Sequence, residues 1–172
     1  MDRRPLHRYL EFPNPVNETS ARVVAAGVVV QGIVFLVIRE WWVLVPLAAG
    51  FLARVLSGPR FSPLGLFATR VVTPRLPFEH RLVAGPPKRF AQGVGLVFSG
   101  GALMAMALGN EPIAVALIVG LMVAASLESV LGLCLGCLAF NRFMRWGIMP
   151  ESVCEACNDI RPRLALRVDQ QA

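Results

Sequence analysis

Four apolar blocks divide the chain, and polar or turn-forming residues separate them. The blocks run over residues 23–38, 42–56, 91–108 and 113–140. A helix that crosses a membrane needs about 17–25 predominantly apolar residues. The first two blocks are long enough only if neighbouring residues also belong to the helices. The pattern predicts four membrane-spanning helices. The alternative for the first two blocks is a buried helical hairpin of a soluble protein.

The connections between the blocks predict how the helices are arranged. The sequences "REW" at 39–41 and "GNE" at 109–111 leave room only for tight turns. We therefore predict an all-α fold, an integral membrane four-helix bundle made of two helical hairpins. The expected organisation is an N-terminal segment 1–22, a membrane domain 23–144 with a basic middle loop 57–90, and a short cysteine-containing tail 145–172.

Composition supports a membrane protein. Apolar residues make up 55% of the chain and charged residues only 16%, whereas about a quarter of an ordinary soluble domain is charged. Four such blocks in a small chain would leave too little polar surface to cover them in water. The expected surrounding is a lipid bilayer.

The basic residues predict the orientation. The net charge is +6, and all of the bases except Arg39 and Arg54 lie before the first block, in the middle loop or after the fourth block. Because cytoplasmic loops carry an excess of Lys and Arg, both termini and the middle loop are expected in the cytoplasm. The bases follow the inner membrane face rather than a groove-reading module, so nucleic acid is not an expected partner.

The middle loop contains an apolar pattern of its own. Phe61, Leu64, Phe67 and Val71 recur at roughly helical spacing beside arginines. This pattern is typical of a short amphipathic helix on an anionic leaflet. A solvated basic loop that only fixes the topology is the alternative.

All four cysteines occur as two CxxC pairs, Cys134 with Cys137 and Cys154 with Cys157. Paired cysteines in a reducing cytoplasm are more often catalytic or metal-binding than structural disulfides. The spacing C-x2-C-x16-C-x2-C also fits a closed four-thiolate zinc site. A third option is packing, since cysteine behaves as a small apolar residue. The sequence leaves redox chemistry and zinc open.

The residues around the cysteines predict which of the four thiols most readily forms a thiolate. Ser152 and Glu155 form a capping box that would place Cys154 in the first turn of a helix, where the helix dipole favours a thiolate. Cys134 and Cys137 fall near the C-terminal end of the fourth predicted helix, where the dipole disfavours one. We therefore expect Cys154 to be the nucleophile and the membrane pair to be the acceptor, with Cys157 also among the candidate site cysteines.

Arg54 and Glu128 are charged residues inside apolar blocks, at nearly matching depths. Charged residues within a membrane usually pair and are functional candidates. The prediction is a buried ion pair between Arg54 and Glu128. It would either lock two helices together or serve as a proton or anion relay.

Several segments resemble a known family. They are "VNETSARVVAAGVVVQG", "FLARVLSGPRFSPLGL", "GPPKRFAQGVGLVFS" and "LESVLGLCLGCLAFNRF", in this order. Over residues 14–144 the chain resembles the bacterial membrane family called domain of unknown function 4395. The resemblance implies a small four-helix protein of the bacterial inner membrane, with a CxGC motif near the end of its last helix. Relatives are often encoded with, or fused to, thioredoxin-like or sulfurtransferase proteins.

Three functions follow from these features. The first is a membrane thiol or sulfur-redox component that works with a thioredoxin-like or sulfurtransferase partner at the cytoplasmic face. The second is a non-enzymatic scaffold whose four cysteines hold zinc. The third is a small transporter for a sulfur compound or anion that uses Arg54 and Glu128. A four-helix transporter would need to form a homo-oligomer.

Overall fold

The computed structural model describes residues 15–75 and 82–147. A short antiparallel ribbon begins this part of the chain, with β1 (Val16–Asn17) paired to β2 (Leu82–Val83). Val16 lies opposite Val83, and Asn17 lies opposite Leu82. The ribbon therefore ties the start of the first helix to the start of the second hairpin.

The first hairpin consists of α1 (Glu18–Ile38) and α2 (Leu44–Ser57), joined through a 3-10 turn at Trp41–Val43. The Asn17 side chain accepts hydrogen bonds from two backbone N–H groups of the first turn of α1, which is the usual role of Asn as an N-cap. α1 thus starts before the apolar block, and the added residues give it the length to span a membrane.

The middle loop is largely helical and packs on α1. It contains a 3-10 turn (Gly58–Arg60), α3 (Pro63–Phe67), a π-helical turn (Ala68–Val72) and a second 3-10 turn (Thr73–Arg75). Leu64 closely contacts α1 at Gly27, while Phe61 and Phe67 stay exposed. The predicted amphipathic helical piece is therefore present, and its contact with a lipid leaflet stays a prediction.

The second hairpin consists of α4 (Gly85–Ala107) and α5 (Glu111–Ser126), and α5 continues as a π-helical turn (Leu127–Leu131). A further helix, α6 (Leu135–Arg145), follows after a break. The prediction that the fourth block forms one helix up to residue 140 is wrong. Its apolar residues run through a glycine that ends the helix.

The helices pack around an interior of small and apolar residues. α2 and α5 both pack against α4, and α1 packs against α5. Gly95 of α4 allows close approach, because a Cβ there would lie 2.1 Å from Cε1 of Phe51 in α2. Fully buried side chains include Phe35, Leu44, Leu47, Ala102, Ala114 and Ile118.

The outer surface of the bundle suits lipid rather than water. Many large apolar side chains remain exposed, among them Val30, Val37, Val97, Met104, Leu108 and Val123. Contiguous apolar surface of this kind marks a membrane or protein interface. The segments Glu18–Ile38, Trp41–Arg75, Gly85–Ala107 and Glu111–Leu131 are long and apolar enough to cross a membrane. The predicted all-α membrane bundle of two hairpins is confirmed.

The bundle has two distinct ends. The turn end contains the two tight hairpin connections. An ion pair joins them, and its Arg39 Nη1 and Glu111 Oε1 atoms are 2.7 Å apart. The loop end contains the ribbon, the helical middle loop, the start of α4 and all of α6. The candidate site lies at the loop end.

Candidate functional site

The break between α5 and α6 is encoded by a glycine and an arginine. Gly132 has a φ of +70°, a left-handed conformation that favours glycine. A Cβ at this position would also lie 3.3 Å from Oε1 of Glu18. Arg22 of α1 donates from Nε to the Ser129 carbonyl at 3.0 Å and from Nη2 to the Val130 carbonyl at 2.7 Å. These bonds satisfy carbonyl groups at the helix end, as stable helix termini require.

The break places the first CxxC pair at the start of α6. Cys134 is the N-cap residue, with extended backbone, and Cys137 follows in the first turn. Gly136 lies directly against α4, since a Cβ there would be 2.6 Å from both Cα and Cβ of Ala91. The rings of Phe140 and Phe143 also pack against Phe90 of α4. These contacts hold the cysteine pair in a defined position on α4.

This geometry corrects the ranking of the thiols. Cys134 and Cys137 are not at the C-terminal end of a long helix, as predicted, but at the N-terminal end of a separate one. A helix N-terminus stabilises negative charge and lowers the pKa of a nearby thiol. The helix dipole therefore favours a thiolate at Cys134 instead of disfavouring it.

The two thiols have opposite protonation preferences. The pKa of Cys134 is lowered, chiefly because the Cys137 thiol donates a hydrogen bond to its sulfur. The Cys137 backbone N–H and the Lys88 ammonium also lower it, while burial and Glu128 oppose them. The pKa of Cys137 is raised by the same hydrogen bond and by burial. Cys134 is thus the favoured thiolate, and Cys137 keeps its proton.

Glu128 pairs with Lys88, not with Arg54. The Lys88 Nζ and Glu128 Oε1 atoms are 2.5 Å apart, and the side chains are only 8% and 15% exposed. The predicted Arg54–Glu128 pair is wrong because matching depth does not make two helices face each other. Glu128 faces the first turn of α4. Sequence analysis missed Lys88 because the third apolar block was started at residue 91 and left it in the loop.

Arg54 is buried among neutral partners. Its Nε donates to Gln92 Oε1 at 2.8 Å, and its Nη1 donates to Ser62 Oγ at 2.9 Å. Its guanidinium carbon also lies 4.5 Å from the centre of the Phe51 ring. The arginine therefore links α2 to α4 and to the middle loop.

The cysteine pair borders a cavity of about 440 Å³, which we call the thiol cavity. Cys134, Cys137 and Lys88 line it from α6 and α4, and Glu18 lines it from α1. Cys134 also borders a narrower cavity of about 90 Å³ that reaches Glu128 between the helices. One sulfur therefore faces both an open pocket and the buried ion pair.

The second CxxC pair lies outside the described residues. This applies to Cys154 and Cys157 and to the capping box at Ser152 and Glu155. Within 15–75 and 82–147, no three His, Cys, Asp or Glu side chains are grouped so that they could hold a metal. A four-cysteine zinc site and a reactive Cys154 remain predictions.

A family model described as a domain of unknown function, DUF4395, matches residues 16–145. The chain belongs to this family. The DUF4395 region contains Lys88, Glu128, Cys134 and Cys137, and it ends before the second cysteine pair. No curated protein and no solved structure matches the chain. The activity of this DUF4395 protein therefore has to be inferred from its own site.

Proposed function

We propose that this DUF4395 protein is a membrane thiol-redox component. It exchanges disulfide or persulfide equivalents with a soluble thioredoxin-like or sulfurtransferase protein at the cytoplasmic face. The observation that supports this most strongly is the position of the CxxC pair: Cys134 is the N-cap residue of α6, Cys137 follows in its first turn, and both border the thiol cavity. A low-pKa cysteine in a CxxC motif at a helix N-terminus is the arrangement in which thiolates are reactive.

The exchange would proceed in two steps. The Cys134 thiolate attacks one sulfur of the partner's disulfide, forms a mixed disulfide and releases the partner's other sulfur as a thiolate. Cys137 then attacks the Cys134 sulfur. Its proton passes to the partner thiolate, a Cys134–Cys137 disulfide forms, and the second partner sulfur leaves. Two electrons have moved from the CxxC pair to the partner.

A persulfide donor would react at the same atom. The Cys134 thiolate attacks the outer sulfur of a partner persulfide, becomes a persulfide itself and releases the partner thiolate. Both reactions begin with a thiolate at Cys134, and the lowered pKa of this thiol supports that requirement.

The Lys88–Glu128 pair would tune the nucleophile. Lys88 favours the Cys134 thiolate and Glu128 disfavours it. Because the effect of the carboxylate is the larger of the two, the pair offsets part of the lowering that comes from Cys137 and keeps Cys134 a moderate nucleophile. An attacking thiol is most effective when its pKa is close to the ambient pH.

The charge distribution supports a cytoplasmic location for the loop end. Its described bases include Arg22, Arg60, Arg70, Arg75, Lys88, Arg89, Arg142 and Arg145. At the turn end, Arg39 lies beside two acids, Glu40 and Glu111. By the positive-inside rule the cysteines then face the cytoplasm, where a soluble thiol partner can reach them.

Trapping of a mixed disulfide tests the proposal. Purified Cys137→Ser protein, reduced and then mixed with an oxidised thioredoxin, should retain a covalent adduct because the resolving thiol is gone. Cys134→Ser should form none, and a Cys154→Ser/Cys157→Ser control should exchange like the wild type. Adducts that form only through Cys154 would contradict the proposal. Four thiols that resist alkylation until a chelator removes bound zinc would support the zinc scaffold instead.

A further inference from the structure

A third cavity, which we call the Arg54 cavity, lies at the loop end and shares Lys88 with the thiol cavity. It has a volume of about 140 Å³. The start of α1, the end of α2, the middle loop and the first turns of α4 all contribute to its wall. Its polar lining residues are Asn17, Ser20, Arg54, Thr69, Lys88 and Gln92.

The charge beside this cavity is not balanced by the described side chains. Arg54 is only 4% exposed, and its hydrogen-bond partners Gln92 and Ser62 are neutral. Its Nη2 atom is buried and has no hydrogen-bond partner in the part of the chain that the structure describes. Lys88, the other cation of the lining, is already paired with Glu128. The site therefore has one positive charge in excess.

A buried charge without a counter-ion is strongly unfavourable. Arginine does not relieve this cost by losing its proton, because its guanidinium stays charged in proteins. Either the guanidinium exists as an isolated buried cation, or an anion joins it. The adjoining cavity provides the space for that anion.

The hydrogen-bonding pattern shows which groups remain to hold an anion. Asn17 Oδ1 already accepts from the first turn of α1, and Gln92 Oε1 already accepts from Arg54. These bonds use the oxygen of each amide, and the NH2 groups take no part in them. By contrast, the Thr69 hydroxyl donates to the Gly65 carbonyl. The donors left for a ligand are two amide NH2 groups, the guanidinium and the Lys88 N–H bonds that Glu128 does not take.

We propose that the Arg54 cavity binds an oxyanion of the sulfate or phosphate type. A planar guanidinium fork matches an oxyanion with several oxygen atoms better than a monatomic ion. The amide donors of Asn17 and Gln92 bind further oxygens. The oxyanion can be a free ion or the phosphate of a lipid headgroup, since both present the same oxygens and the cavity lies at the loop end.

Thermal unfolding in detergent tests the site and separates the two sources. Delipidated protein is compared in sodium sulfate, in sodium chloride of equal ionic strength, and with added phosphatidylglycerol. A ligand at one hundred times its Kd should raise Tm by about 5 to 10 °C over the chloride reference. A rise with sulfate identifies a free-ion site, and a rise with phosphatidylglycerol alone identifies a headgroup site. If neither sulfate nor phosphatidylglycerol raises Tm, the proposal is wrong.

Two variants assign any rise to Arg54. Gln92→Glu places a carboxylate at the Arg54 Nε atom, so it should raise Tm without ligand and abolish the ligand-dependent rise. Arg54→Gln should also abolish the rise. Arg39→Gln, at the turn end, should keep the wild-type response. If Gln92→Glu protein keeps the full response, the ion binds elsewhere and the proposal is wrong.

Discussion

The two ends of the bundle handle charge in opposite ways. At the turn end, Arg39 and Glu111 form an ion pair whose side chains are about half exposed, with 46% and 50% of their surface accessible. At the loop end, Lys88 and Glu128 pair with little exposure, and Arg54 is buried without a carboxylate partner in the described chain. The turn end closes both hairpins and the loop end joins them, and among the described residues the buried charges lie at the loop end.

The helical backbone also differs between the two ends. The turn end closes with short caps: the Asn110 side chain accepts from the Ile113 N–H, and Arg39 ends α1 in the left-handed conformation. The loop end contains two π-helical turns and a helix that stops at Gly132. π-helical turns often occur at functional sites, and proteins tend to break local rules where they function. Buried charge and π-helical backbone thus coincide at the loop end, where the proposed site lies.

Breaking the loop-end ion pair should have the largest effect on stability. Lys88→Met leaves the Glu128 carboxylate buried and unpaired, and we expect a loss of about 2 to 4 kcal/mol in the free energy of unfolding. Denaturation in detergent measures this loss. The double variant Lys88→Met/Glu128→Leu should recover much of it. If the double variant loses as much as Lys88→Met and Glu128→Leu lose separately when their losses are added, the two side chains do not stabilise the protein as a pair.

Moving α6 away from α4 should have the next largest effect. In Gly136→Ala the new Cβ meets the Ala91 backbone at 2.6 Å, so the helix carrying the thiols must shift. We expect a loss of about 1 to 3 kcal/mol and a change in Cys134 reactivity.

Gly93→Ala is the matched control for this change. A Cβ at Gly93 meets nothing within 4 Å, so the substitution should stabilise α4 by about 0.5 to 1 kcal/mol. Equal effects of the two alanines on stability and on Cys134 would mean that the α6–α4 contact does not position the site.

The smallest effect is expected at the turn end. Arg39→Gln removes an exposed ion pair, and such pairs contribute about 0 to 1 kcal/mol. The stability lost should shrink further at high salt, because salt screens exposed charges. A loss as large as that of Lys88→Met would remove the difference between the two ends.

The hairpins were predictable because hydrophobic length is a strong signal. Four apolar blocks, two tiny connections and one long basic loop left few other arrangements. The predicted amphipathic pattern between residues 61 and 71 likewise became α3 and its π-helical turn. Each of these features depends on residues close together in the sequence.

The site was less predictable because it depends on contacts between distant residues. The signal for the helix break was Gly132, but the apolar residues around it continued the block. Its stabilising partner, Arg22, lies on another helix. The partner of Glu128 was misassigned because depth along a helix says nothing about direction around it. The signal that pointed to Lys88 is a basic residue one helical turn before the third apolar block.

Alkylation rates of the two membrane cysteines test the central claim most directly. Reduced protein is treated with N-ethylmaleimide across a pH series, and peptide mass spectrometry follows Cys134 and Cys137 separately. Cys134 should react faster, with its half-maximal rate below the pH of about 8.5 typical of a free thiol, because its pKa is lowered. Cys137 should lag until higher pH because its pKa is raised. Equal rates, or a faster Cys137, would contradict a nucleophile at the start of α6.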